Sequence, residues 1–80
     1  MKIESKFQVY VGPVNVDECA KRLRNSSFTS VVSGTCHVFA AIIWETDEYY
    51  SVREIIEKAL GFKTGIHDIE VFSQTSAKNV

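Results

Sequence analysis

Hydrophobic positions in this chain follow two periods, and the switches between them outline six elements. The longest apolar run, residues 35–44, holds Cys36, Val38, Ala40, Ile42 and Trp44 on one alternating set and Phe39, Ala41 and Ile43 on the other. A strand apolar on both sides belongs in the middle of a sheet with cover on each face. Earlier, Phe7, Val9 and Val11 alternate with Gln8, Tyr10 and Gly12, which predicts a half-buried strand ended by Gly12-Pro13. Met1 to Lys6 reads as a polar lead-in. Val16, Cys19, Ala20 and Leu23 then recur at helical spacing, with Asn15 as N-cap and Glu18 completing a capping box. Asn25-Ser26-Ser27 closes this helix.

Residues 28–32 predict a second strand, and Ser33-Gly34 a two-residue hairpin turn into the central strand. That turn sets a register in which Val31 opposes Cys36 and Thr29 opposes Val38 on one face. On the other face Val32 opposes Thr35, Ser30 opposes His37 and Phe28 opposes Phe39. Residues 46–50 read as a polar connection or an early helical turn. Ser51 and Glu54 make a second capping box, followed by a stripe of Val52, Ile55, Ile56, Ala59 and Leu60. Gly61 supplies a left-handed cap, with Phe62 placed to fold back on the last turn. A final strand starts at Ile66 or His67 and runs to Phe72, with Ile69 and Val71 on one side and Glu70 and Phe72 on the other. Residues 73–80 are polar and are expected to fray.

The order strand, helix, strand, strand, helix, strand resembles the split βαβ, or ferredoxin-like, plait. That resemblance implies an α+β fold whose four-stranded antiparallel sheet has order 4-1-3-2, with both helices on one face. We expect one domain over residues 1–80, its core within about 6–73 and a flexible tail at 74–80.

Composition narrows the function classes. Eighty residues, 45% hydrophobic and 24% charged, describe an ordinary small globular domain. A net charge of −1 argues against binding driven by electrostatic attraction to nucleic acid. Cys19 and Cys36 are too few for a disulfide framework and fit buried reduced thiols. No stretch resembles a signal peptide or a membrane span, so the expected location is the cytoplasm.

Two helices cover one side of such a sheet, which leaves Tyr10, Phe28, Phe39, Ala41, Ile43 and Phe72 facing outward. A patch of that size calls for a partner. The expected function is non-enzymatic protein–protein interaction, with self-association into a homodimer through this face. Lys21, Arg22 and Arg24 at the first helix end, and Glu45, Asp47 and Glu48 after the central strand, are secondary contact candidates. By analogy with other small plaits, a bacterial or phage accessory protein that inhibits a larger machine fits the same features.

An alternative rests on Phe7-Gln8-Val9-Tyr10-Val11-Gly12-Pro13-Val14, which resembles the first conserved strand of an RNA-recognition motif. The resemblance implies that Tyr10 stacks on a base of single-stranded RNA. The counterpart Ser33-Gly34-Thr35-Cys36-His37-Val38-Phe39-Ala40 keeps the glycine but lacks the basic residue, and Thr35 and His37 stand where aromatics belong. Catalysis is not expected, because Cys36 and His37 point to opposite faces of one strand. His37, His67 and Asp68 lack a ligand spacing, so neither metal nor cofactor is expected. No glycine-rich phosphate loop and no small-molecule site are evident.

Overall fold

The computed structural model describes residues 2–45 and 51–77. Its elements are β1 (Lys2–Tyr10), a 3-10 turn (Pro13–Asn15), α1 (Val16–Arg24), β2 (Thr29–Ser33), β3 (His37–Glu45), α2 (Val52–Leu60) and β4 (Ile69–Ser76). The strands form one sheet of order β2-β3-β1-β4, and each neighbouring pair is antiparallel. Read from the other edge, this is the expected order. It places the two strands with the strongest apolar alternation in the middle.

One face of the sheet is sealed. Phe7 and Val9 of β1 and Val38, Ala40 and Ile42 of β3 meet Val16, Cys19, Ala20 and Leu23 of α1 and Val52, Ile56 and Leu60 of α2 in one buried cluster. Both helix stripes therefore do what their spacing predicts. Burial removes water from each of these side chains, worth roughly 1.5–3 kcal/mol for a large one. At α2 the capping pattern forms: Glu54 accepts the Ser51 N–H at 3.0 Å, and Gly61 closes the helix at a φ of 84°. At α1 it does not. Gly12, at a φ of 80°, turns the chain into the 3-10 segment, and the Asn15 amide donates to the Val11 carbonyl at 3.4 Å instead of capping. Glu18 pairs with Arg22 one turn later, at 3.0 Å.

One end of the sheet is longer than the hydrophobic pattern suggests. Lys2 to Lys6 is strand, paired with β3 on one side and with Ser73 to Ser76 on the other. Its alternation is hidden because the fully buried inward residue at position 5 is a serine. The Trp44 indole N–H donates to the Ser5 hydroxyl at 2.7 Å, which satisfies that buried group. Residues 73–76 of the segment expected to fray are thus the second half of β4, and residues 78–80 lie outside the described residues.

The hairpin also departs from expectation. The Gly34 N–H donates to the His37 carbonyl at 2.7 Å, so the turn centres on Thr35-Cys36, two residues later than Ser33-Gly34. Val32 pairs with Phe39 and Ser33 with Val38, whereas Thr29 pairs with Ala41. A one-residue irregularity lies between those pairs, where Ser30 adopts a φ of 54°. Cys36 sits at the hairpin tip and is half-buried rather than part of the core.

Candidate functional site

Register and burial define what the uncovered face carries. From β1 it takes Lys2, Glu4, Lys6, Gln8 and Tyr10, the residues that alternate with buried Ser5, Phe7 and Val9. From β3 it takes His37, Phe39, Ala41, Ile43 and Glu45. Glu70 and Phe72 come from β4 and Val32 from β2. Tyr10, Val32, Phe39, Ile43 and Phe72 are exposed. The apolar half of the face follows β2 and β3, and the charged half follows β1.

Two of the six expected face residues are placed differently. Phe28 is only 7% exposed and lies in the core, its ring edge-on to Phe7 at 5.7 Å. The extra residue near Ser30 inverts the side on which everything before it falls, because side chains alternate with a period of two. Ala41 does belong to the outward row, but it is 3% exposed. With Lys6, Phe7, Ser30, Phe39, Ala40 and Phe72 it lines a depression of about 340 Å³. Val32, which takes the place beside Phe39 expected of Phe28, was not among the expected interface residues. Its side of the sheet follows from the alternation, and the shifted hairpin register changes its cross-strand partner from Thr35 to Phe39.

Along one end of the face three rings run in series. Tyr10 and His37 stand cross-strand with centroids 5.2 Å apart, edge to face, and His37 lies 6.2 Å from Phe39. Gly34 makes room for this ledge. A Cβ there would stand 3.0 Å from the Phe39 ring and 3.1 Å from the His37 carbonyl oxygen, so the ring rests on bare backbone.

The secondary candidates are largely engaged within the chain. Arg22 donates to the carbonyl of Leu60, which satisfies the end of α2, and Arg24 donates to the Val31 carbonyl at 3.3 Å. Lys21 is exposed on α1. Glu45 ends β3, opposite Lys2. Asp47 and Glu48 lie outside the described residues.

Among the described residues no three His, Cys, Asp or Glu side chains come together as metal ligands. His37 is occupied by its neighbouring rings, and the Asp68 carboxylate accepts the Gly65 N–H at 2.9 Å. Burial pushes the Cys19 thiol above its ordinary value; the Arg22 charge opposes this and Glu18 adds to it. The outcome is a thiol poorly disposed to act as a nucleophile. No described helix is long and apolar enough to cross a membrane. No family model, curated protein or solved structure matches the chain.

Proposed function

We propose that the chain is a non-enzymatic interaction module with a ferredoxin-like plait, and that it pairs with a second copy through the open sheet face. The βαββαβ order, the β2-β3-β1-β4 sheet and the shared core of both helices support the fold name. The observation that carries the function is the group of Tyr10, Val32, Phe39, Ile43 and Phe72, five large exposed side chains on one side of one sheet.

Size and charge favour a second copy as the occupant. Strands spaced ~4.8 Å apart, with β1 and β3 nine residues long, give a face of roughly 500 Å² on each copy. Two such faces in contact reach about 1,000 Å², the lower bound for a specific interface. The charges alternate in sign: Lys2 and Lys6 stand against Glu4, Glu45 and Glu70. Such a surface can match a rotated copy of itself, and it offers no net positive field to a polyanion.

Phe39→Asp places a charge in the middle of the apolar half without touching the core. The expected result in sedimentation or sizing measurements is a shift from dimer to monomer, with the folded-state circular dichroism unchanged. An unshifted mass would remove the proposal.

A second reading has one observation of its own, the Tyr10–His37–Phe39 ledge. Aromatic rings presented together on an open sheet suit base stacking, worth about 1–3 kcal/mol per base. On this reading a labelled single-stranded oligonucleotide is retained at moderate salt, and Tyr10→Ala abolishes retention.

A further inference from the structure

The open face carries both a protrusion and a recess, and they are neighbours. The protrusion is Phe72, 52% exposed, the most exposed aromatic ring on this face. It is the one residue by which β4 exceeds β1 between the pairs Val71–Phe7 and Ser73–Lys6. A bulge of this kind re-aims side chains, and here Phe72 and Ser73 both stand opposite Lys6. The recess is the depression over Ala41, with Lys6, Ser30, Phe39 and Phe72 itself as walls.

Ala41 is the smallest residue of the outward row of β3, between Phe39 and Ile43 along the strand. Across the sheet it pairs with Lys6 on one side and Thr29 on the other, both longer. Its near-complete burial comes from these taller neighbours, because it takes no part in the helix-covered core. Phe39 does not fill the space above it, since its ring lies over Gly34 toward the hairpin tip.

We infer that the second copy is registered by this pair of features: Phe72 of each copy seats in the recess over Ala41 of the other. The inference rests on the self-association proposed above and specifies its geometry. A protrusion beside its own complementary recess is what a two-fold interface requires. One axis passing between the two features brings each Phe72 to the other copy's recess in a single operation. The phenyl ring then packs between the Phe39 ring and the aliphatic stem of Lys6, whose ammonium stays at the rim, above the small Ala41. Ala41 thus acts by its small size, as the residue that keeps the seat empty for the partner's Phe72.

The test compares Ala41→Leu, Phe72→Ala, the double variant and Phe62→Ala by analytical ultracentrifugation over a concentration series. Ala41→Leu fills the recess without removing any exposed apolar group, and Phe72→Ala removes the protrusion. Each is expected to weaken the dimer by about tenfold or more, in line with overpacking or truncation at a buried contact. The double variant should be no weaker than the worse single one, because both break the same contact. Phe62, equally aromatic and exposed but at the α2 end, serves as the control and should leave the dissociation constant unchanged. Native-like thermal melts of the Ala41→Leu monomer separate a filled recess from a failed fold; should that variant misfold, Ala41→Ser with a retained dimer and Phe72→Ala with a lost one support the same geometry. A dimeric wild type indifferent to both Ala41→Leu and Phe72→Ala overturns this inference and leaves self-association standing. A wild type that sediments as a monomer throughout overturns both.

Discussion

The two edge strands use the same device to opposite ends. β2 and β4 each depart by one residue from regular pairing with their central neighbour. In β2 the irregularity lies at Ser30 and sends Phe28 under the sheet, where it meets Phe7. In β4 it lies at Phe72, whose ring the alternation from Ile69 and Val71 has already set above the sheet. One irregular residue thus adds an aromatic ring to the sealed face, and the other presents one on the open face. The difference shows that a bulge changes the face of what lies beyond it, as for Phe28, and leaves unchanged the face of what the regular alternation has already placed, as for Phe72.

The largest test of that contrast is truncation of Phe28. With its ring buried among core residues, Phe28→Ala should cost about 3–5 kcal/mol of unfolding free energy. For an 80-residue domain that is most of the available stability. Phe72→Ala should cost less than about 0.5 kcal/mol in folding, as for an exposed surface residue. Denaturant titration of both variants reads the difference, and equal costs would put the two rings in equivalent surroundings and dissolve the comparison.

Next in size is the β2 irregularity itself. Ser30 occupies the left-handed region, which a β-branched side chain tolerates poorly. Ser30→Val should therefore cost about 1–3 kcal/mol, while Ser30→Gly should be neutral or stabilising. If valine were accepted without loss, the irregular backbone would not be what turns Phe28 inward.

These two tests mark where sequence reasoning succeeded and where it stopped. Phe72 was legible as outward-facing because its alternation with Ile69 and Val71 runs unbroken up to the bulge. Phe28 was not, because its side was counted back from the hairpin across Ser30, and nothing about a serine announces a positive φ. The turn itself was misplaced for a related reason. Gly34 reads as a turn glycine, yet it serves to admit the Phe39 ring, and the tip passes to Thr35-Cys36. Both helix stripes and the strand order were legible because each rests on several residues at one period. The polar halves of β1 and β4 were not, since they are held by pairing with each other rather than by apolar alternation.

That polar pairing has one buried anchor. Ser5 stands between Ile42 and Gln74 across the sheet and receives the Trp44 indole N–H. Ser5→Ala leaves that donor without its acceptor at a half-buried site, and should cost about 1 kcal/mol. Amide exchange should quicken first at Ser73 to Ser76, ahead of β2. Uniform quickening across the sheet would mean that Ser5 supports the whole core and not the β4 side in particular.

The smallest expected effect concerns how β4 is delivered to that edge. The loop after α2 is tied by Glu57, whose carboxylate accepts the Thr64 N–H at 2.7 Å and the Thr64 hydroxyl at 2.9 Å. Arg53 completes the tie, donating to the Thr64 hydroxyl and to the Ile66 carbonyl, each at 2.7 Å. The Thr64 N–H first, then its hydroxyl, hold the Glu57 acid below its ordinary value; partial desolvation opposes them, and the Arg53 and Lys63 charges add a smaller pull. A carboxyl whose folded pKa is depressed favours the folded loop above its unfolded value, about 4.3, and loses that contribution as pH falls through the folded value. Acidification through that window should therefore loosen residues 61–66 while β2 and the hairpin keep their exchange protection. The Thr64 amide shift, followed by NMR, should titrate with Glu57, and Glu57→Gln should flatten that titration. A Thr64 amide that titrates unchanged in Glu57→Gln would take the acid response away from Glu57 and would detach the anchoring of β4 from α2.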